Sequence, residues 1–267
     1  MTAPPRCSLS GCNRRAYDAL RMEQIAVFGA LQWECRAVVR QLRQVQRNRL
    51  LGLTLWHGRA PRFEVSVVKT GVGMQRAAAA ADALGDLTRF AVVVSAGCAG
   101  GLAPQLSPGD LVLATTIVCD GSTAAHRTDT THRAGALRAA ARMGLRGVEG
   151  AVLCSARALL SAADKRAAAA GGALAVEMES DPIAARAAAA GVPFLSVRAI
   201  LDGTDHELCV PDTLTDGATG GVRPLAVAGY VATHPGMIPE LIALQRMQRA
   251  ARQSLERFFA GWLMTAR

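Results

Sequence analysis

One segment constrains the fold of this chain most strongly: Leu174 to Gly203 reads LAVEMESDPIAARAAAAGVPFLSVRAILDG. A short apolar strand ends at Glu177, and a second apolar strand runs into Asp202. The residues between them carry helix start and stop signals, namely Asp181 as a cap, Pro182 in the first turn and Gly191 at the end. Strands joined through a helix are expected to be parallel neighbours, and open parallel sheets bind ligands at the carboxyl ends of their strands. We therefore expect acidic residues at this edge to serve a polar substrate.

Apolar strand-like runs alternate with helical segments along the rest of the chain, which predicts an α/β protein. The expected architecture is a mixed, mostly parallel central sheet flanked by helices. A length of 267 residues favours one large domain over two. We predict that residues 23–267 form this domain and that residues 1–22 are a disordered tail.

Several elements are predicted from local pattern alone. Gln32 to Arg43 is predicted to be a helix, as is Ala156 to Ala170. Phe90 to Val94 is predicted to be a strand that enters a glycine-rich loop at residues 97–101. Residues 120–133 are expected to be irregular because they are polar and lack periodicity.

The C-terminal region has its own pattern. Residues 212–223 resemble a loop, residues 224–233 form a short apolar segment, and a long helix is predicted from Pro239 to Leu263. Apolar side chains recur along this helix every three or four residues, with four arginines, Arg246, Arg249, Arg252 and Arg257, between them. Either the helix packs on the sheet with a solvated basic face, or its surface touches a membrane or a lipid substrate.

The charge of the chain does not by itself indicate a nucleic-acid partner. The net charge is +9, but only Lys69 and Lys165 among the 30 basic residues are lysines, and long alanine runs accompany the arginines. We interpret this as a compositional bias, and an aromatic content of 4% argues against a base-stacking platform. Nucleic acid is therefore not an expected partner.

Cysteine usage and hydropathy indicate a cytoplasmic location. Seven cysteines are scattered without metal-ligand spacing, so no metal site is expected. Scattered free cysteines are typical of a reducing compartment. No apolar run has the length of a membrane span or of a signal peptide.

Glycine-rich turns and one glutamate leave two interpretations open. Gly71 and Gly73 could present backbone N–H groups to an anion or a sugar oxygen, or could serve only a tight turn. The glycines at 97–101 could line a site or serve packing. Glu34 lies in the first turn of a predicted helix, where a carboxylate usually only offsets the helix dipole.

Four motifs in residues 23–205 carry a family resemblance: IAVFGALQWE, KTGVGMQRAAAA, SAGCAGGLAPQLSPGDLVLA, and AVEMES followed by VPFLSVRAILD. The chain resembles the nucleoside phosphorylase superfamily of the purine/uridine type, and most closely its methylthioadenosine/S-adenosylhomocysteine nucleosidase branch. The resemblance implies a nucleoside phosphorylase-like fold, no cofactor and a homo-oligomer.

The resemblance also implies roles for individual residues. Asp202 matches the aspartate that protonates purine N7 as the glycosidic bond breaks, a general-acid task. Glu179 matches the glutamate that binds the ribose hydroxyls beside Met178, and Glu34 matches the glutamate that activates the attacking water. The other positions expected to bind substrate are Glu177, Gly71, Gly73, Cys98, Ala99, Gly100 and Arg198.

Departures from the family patterns bear on the acceptor and on the base pocket. The phosphorylases hold phosphate with arginines in a GDPxR-type loop and just before the glycine-rich loop. This chain has Gly29 to Glu34 in the first region and Ser95 at the second position. Both differences favour water over phosphate as the acceptor. Leu201 replaces a serine before the acid, and residues 155–159 lack the phenylalanine of the nucleosidases. Cys98 replaces a serine, so the base pocket is altered.

The C-terminal region resembles the hopanoid-associated subgroup of this superfamily. That resemblance implies release of adenine from adenosylhopane, with peripheral contact at the inner membrane. Three alternatives stay open: a methylthioadenosine/S-adenosylhomocysteine nucleosidase, a phosphate-dependent purine nucleoside phosphorylase, and a non-catalytic protein that binds a nucleoside or a lipid.

Overall fold

The computed structural model describes residues 22–122, 124–206, 236 and 238–265. These residues form ten strands and six helices around one mixed sheet. In chain order the elements are β1 (Glu23–Gly29), α1 (Gln32–Val39), β2 (Arg43–Leu50), β3 (Leu53–Arg59), β4 (Phe63–Lys69), α2 (Met74–Ala83), β5 (Val92–Gly101), β6 (Leu111–Cys119), β7 (Ala125–Arg127), α3 (Thr130–Arg142), β8 (Gly147–Cys154), α4 (Ala162–Ala169), β9 (Ala175–Glu177), α5 (Ser180–Ala189), β10 (Phe194–Asp202) and α6 (Ile238–Thr265). Residues 1–21 of the predicted tail 1–22 and the predicted segments 212–223 and 224–233 lie outside the described residues.

Strand β5 is the centre of the sheet. It pairs in parallel with β1 and β10, and its end pairs antiparallel with β9. Strands β5, β10, β6, β8 and β9 form a closed ring of pairings, while β4, β3 and β2 extend the sheet beyond β1. The α/β class, the single domain with a mixed sheet and the C-terminal helix are thus confirmed.

The prediction that β9 and β10 are parallel neighbours is wrong. Both strands pair with β5, and β9 runs antiparallel to it. Their ends still meet, because Gly100 of β5 is the register partner of Asp202 on one side and of Val176 on the other. The acidic residues therefore reach one place through β5 and not through direct pairing.

Two predicted element boundaries near β5 and α1 are also wrong. Helix α1 ends at Val39, and residues from Arg43 form strand β2, which is exposed along its whole length. An exposed edge strand lacks the apolar alternation that would have revealed it. Residues 97–101 continue β5 and are not a loop, because β10 and β9 hydrogen-bond them on both edges.

Two further segments differ from prediction. Helix α4 begins at Ala162 and not at Ala156, since the Ser161 hydroxyl accepts a hydrogen bond from the Asp164 amide at 3.0 Å and caps the helix there. The segment 120–133 contains β7 and the start of α3, which Asp129 caps through the His132 amide at 2.8 Å.

The apolar stripe of helix α6 faces the protein interior over most of its length. From Met247 to Leu263 its large apolar side chains are buried against α1, α3 and β10. Exposed apolar residues occur near its start, at Ile238 and Ile242, and at Met264. The packed interpretation therefore holds from Met247 to Leu263. No helix in the described ranges is long and apolar enough to cross a bilayer.

Trp262 is the largest fully buried side chain of α6, and its ring stacks on Phe63 with centroids 6.3 Å apart. We expect Trp262→Ala to lower the free energy of unfolding by about 3–5 kcal/mol, because it removes an aromatic ring from the core and leaves a cavity. Urea denaturation followed by circular dichroism measures this change. Met264→Ala, at a side chain that is 58% exposed, is the control and should stay within about 0.5 kcal/mol of the wild type.

Candidate active site

A cavity of about 190 Å³ opens where β5, β9 and β10 end. Most of its wall is apolar. Four carboxylates line it and come from distant parts of the chain, namely Glu34, Glu177, Glu179 and Asp202. All four side chains are buried, with 2–8% of their surface exposed. Carboxylates at such a position are costly unless hydrogen bonds or ion pairs hold them.

Arg198 of β10 organises the floor behind this cavity. Its Nη2 donates to Glu177 Oε2 at 2.6 Å, to the Ser95 hydroxyl at 2.5 Å and to the Ser180 hydroxyl at 2.7 Å. A Cβ atom on Gly97 would lie 2.7 Å from Arg198 Nη1 and from Glu34 Oε1, so a larger residue there would displace both side chains. One guanidinium thus ties β10 to β5, β9 and the start of α5.

Glu177 caps helix α5 from the end of β9. Its carboxylate accepts hydrogen bonds from the Glu179 amide at 2.9 Å and from the Ser180 amide at 2.9 and 3.1 Å. The prediction that Asp181 caps this helix is wrong, because Asp181 already lies inside the first turn. Pro182 occupies the first turn and Gly191 follows the last residues of the helix, with φ of +66°, as predicted.

Glu179 faces the cavity from the start of α5. Its Oε1 accepts a hydrogen bond from the Gly73 amide at 2.8 Å. Gly71 and Gly73 have φ of +81° and +100°, a conformation that favours glycine. Burial, reinforced by the nearby Glu177, raises the pKa of Glu179 to about 7.

Glu34 reaches the cavity from the first turn of α1. Its Oε2 accepts from the Leu31 amide and its Oε1 from the Cys98 amide, both at 2.8 Å. Burial raises the pKa of Glu34, although these two amides and Arg198 act against the rise. The second hydrogen bond fixes the carboxylate against the end of β5, so Glu34 does more than offset a helix dipole.

Asp202 ends β10 and has a partner that sequence reasoning missed. The ammonium group of Lys165, which is 1% exposed, contacts Asp202 Oδ2. Burial raises the pKa of Asp202, and Lys165 opposes that rise. One signal could have indicated Lys165: it is one of only two lysines in a chain whose other basic residues are arginines.

The remaining sequence-predicted residues divide into two groups. Met178, Cys98, Ala99 and Gly100 are part of the cavity wall. Arg198, Gly71 and Gly73 are not part of the wall, but each hydrogen-bonds a residue that is: Arg198 binds Glu177, the Gly73 amide binds Glu179, and the Gly71 amide donates to the Ala30 carbonyl at 3.2 Å. The segment 155–159, which lacks the phenylalanine of the nucleosidases, contributes Arg157, Ala158 and Leu159 to the wall, and Leu160 follows them.

We expect Glu179→Gln to weaken the pH dependence of stability. The folded-state pKa of about 7 lies above the ordinary glutamate value of 4.5, so the folded protein binds the extra proton and loses stability as pH rises between these values. The free energy of unfolding of the variant should therefore fall less steeply over this range in urea titrations at several pH values. Glu23→Gln, at an exposed carboxyl on β1, should retain the wild-type slope. Equal slopes for wild type and Glu179→Gln would contradict the prediction.

Comparisons with known proteins agree with this architecture. The model of the Phosphorylase superfamily matches residues 24–228. A 5'-methylthioadenosine/S-adenosylhomocysteine nucleosidase of Glaesserella parasuis serovar 5 (strain SH0165) is 26% identical over 202 residues, which make up 69% of this chain and 87% of that protein.

Two solved structures are similar in fold. The nucleosidase of Neisseria meningitidis in complex with methylthio-immucillin-A gives a TM-score of 0.70 at 19% identity, covering 91% of this chain and 99% of that one. The S-adenosylhomocysteine nucleosidase from Streptococcus pyogenes, in complex with 5-methylthiotubericidin, gives a TM-score of 0.67 at 22% identity, covering 91% of this chain and 98% of that one. With the family model spanning most of its length, this chain belongs to the phosphorylase superfamily.

Proposed function

We propose that this protein cleaves the N-glycosidic bond of an adenine nucleoside and releases adenine, with water as the acceptor. One observation carries the proposal: the carboxylates of Glu34, Glu179 and Asp202, from three distant parts of the chain, line a single cavity. Such a set can protonate a leaving base, bind a sugar and activate water. The nucleosidase relative supports the same reaction class.

Asp202 is the proposed general acid. The purine leaves as a neutral molecule if N7 receives a proton while the bond from the sugar to N9 breaks. Burial raises the pKa of the Asp202 carboxyl, which favours the protonated form that can donate to the base. Ala99, Gly100 and Val176 flank Asp202 in the cavity wall and offer an apolar surface to a flat base.

Glu179 and Met178 are proposed to bind the sugar. A carboxylate held by the Gly73 amide presents its other oxygen to the ribose hydroxyls. The same charge lies beside a sugar that becomes positive as the base departs, so it stabilises the transition state electrostatically.

Glu34 is the proposed base for the attacking water, and the surrounding charges favour water over phosphate. Glu34, Glu177 and Glu179 would repel a phosphate dianion in a buried cavity. Arg198 is engaged by Glu177 and by two serine hydroxyls, and Ser95 occupies the position where the phosphorylases carry an arginine. This arrangement supports hydrolysis over phosphorolysis.

For the substrate we propose adenosylhopane, on the strength of the resemblance of the C-terminal region to hopanoid-associated proteins. The many apolar residues of the cavity wall, among them Leu31, Val72, Leu159 and the 41% exposed Leu160, fit a substrate with an apolar substituent. A methylthioadenosine/S-adenosylhomocysteine nucleosidase is the second candidate, because the curated relative carries that name. A homo-oligomer located in the cytoplasm remains part of the proposal.

The first turns of α6 are proposed to touch the inner membrane. Ile238 and Ile242 are 41% and 44% exposed, and Arg246 and Arg249 are exposed next to them. Apolar side chains flanked by arginines are typical of helices that bind anionic lipid surfaces.

Sedimentation with anionic phospholipid vesicles tests this contact. Burying an isoleucine contributes about 1.5–3 kcal/mol, so Ile242→Glu should weaken vesicle binding about tenfold or more. Met264→Glu, at an exposed apolar residue on the far end of the same helix, should bind like the wild type. Absence of wild-type binding would overturn the membrane contact.

Adenine release measured by chromatography tests the reaction. We expect the wild type to release adenine from adenosylhopane in detergent, equally with and without phosphate. Asp202→Asn should lower the rate about 10²- to 10⁴-fold, because it removes the acid but keeps the shape. Asp205→Asn, whose side chain is 85% exposed, is the matched control and should retain the wild-type rate.

Each alternative has a distinct outcome in this assay. Faster release from methylthioadenosine than from adenosylhopane would indicate the ordinary nucleosidase. Activity that requires phosphate would indicate a phosphorylase. Binding without release, unchanged by Asp202→Asn, would indicate a non-catalytic nucleoside-binding or lipid-binding protein.

A further inference from the structure

Lys165 is buried beside the proposed acid and is fully engaged. Its ammonium group contacts Asp202 Oδ2 and also donates to the backbone oxygen of Gly203 at 3.1 Å and of His206 at 2.8 Å. An ammonium has three hydrogens, so every one of them has an acceptor. A lysine that is 1% exposed is rare unless it is paired, and here the partner is the residue to which we assign proton donation.

The two oxygens of the Asp202 carboxyl have different surroundings. Oδ2 is held by Lys165, whereas Oδ1 lies toward Gly100, where a Cβ atom would be 3.6 Å away. Gly100 and Asp202 both line the cavity, and Lys165 does not. Lys165 therefore holds the carboxyl through Oδ2 without forming part of the cavity wall, and Oδ1 is the oxygen that its ammonium group does not engage.

The charges around Asp202 come from several elements. Lys165 on α4 contacts it directly, and His206 lies on the segment that follows β10. Glu34, Glu177 and Glu179 share the cavity with it. Arg198 lies behind the floor and is bound to Glu177, and the exposed Arg157 is bound to Asp164. Within the described part of the chain, Lys165 is thus the cation placed to stabilise an ionised Asp202.

Proton donation creates a carboxylate where a carboxylic acid stood. The O–H bond of Asp202 breaks and an N–H bond forms on the purine, while the glycosidic electrons pass to the base. The water oxygen bonds to the sugar carbon, and its proton passes to Glu34. Burial alone would make the new Asp202 carboxylate costly, and a neighbouring ammonium offsets this cost.

We propose that Lys165 is a positioning residue for the reaction: its ammonium group orients Asp202 with one oxygen toward the base and stabilises the carboxylate left by proton transfer. This inference rests on the proposed role of Asp202. Lys165 lies outside the four sequence motifs and does not line the cavity, so neither of these indicated the role.

Kinetics of Lys165→Met and Lys165→Arg test the proposal. Lys165→Met should lower kcat about 100-fold with little change in KM and should move the alkaline limb of kcat/KM to higher pH, because Asp202 becomes a weaker acid. Lys165→Arg, which keeps the charge, should restore part of kcat and return the limb toward the wild-type position. Arg166→Met, at an exposed neighbour on α4, should match the wild type.

The pH profile separates this task from a purely structural one. Loss of folded protein would lower the rate without moving the alkaline limb of the kcat/KM profile. Thermal melts and adenine binding report on folding separately. A folded Lys165→Met enzyme with the wild-type kcat and alkaline limb would overturn the proposal.

A measurement on the unaltered residue covers the case in which Lys165 variants do not fold. The chain has only two lysines, so 13Cε-lysine labelling gives two NMR signals, and Lys69→Arg assigns them. The chemical shift of the Lys165 signal should change with pH as Asp202 titrates, and Asp202→Asn should abolish this change. A Lys165 signal that does not respond would overturn the pairing. Wild-type enzyme that releases no adenine would instead refute the proposed function, whatever this titration shows.

Discussion

The candidate site depends on the buried ion pair between Arg198 and Glu177. The guanidinium comes from β10 and the carboxylate from the end of β9, and the same nitrogen binds Ser95 on β5 and Ser180 at the start of α5. Removing one member would leave an uncompensated charge in the interior, which is strongly destabilising. Because this pair fixes two strand ends and a helix start, it sets the positions of the groups that face the cavity.

A second feature of the site is that its carboxyl groups outnumber the cations that contact them. Burial raises the pKa of Glu34, Glu179 and Asp202, and backbone amides, Arg198 and Lys165 hold the charged forms against this tendency. Carboxyl groups whose pKa is shifted by burial and by charged partners cluster at functional sites. The site therefore combines a rigid frame with carboxyls whose pKa values lie above their ordinary range.

Sequence patterns predicted the fold class and the meeting of the acids at one sheet edge. The expected reason, direct pairing of β9 with β10, was wrong, because both strands pair with β5. A continuous apolar run identified β10, whereas the exposed β2 carried no such pattern and was not predicted. The glycines at 97–101 suggested a loop, because local propensity cannot show that β9 and β10 pair with them from both sides. Lys165 could not be placed beside Asp202 from sequence, since 37 residues separate them and only the tertiary fold joins them.

The parallel pairing of β5 with β10 also has a consequence for how the chain folds. The paired residues Val93 and Phe194 are about 100 positions apart, so a large loop must close before this ladder forms. Folding rates fall as such long-range contacts become more numerous. The cavity is therefore assembled only when distant segments have met, and an intermediate made of local hairpins would carry the acidic residues without the arrangement that makes them useful.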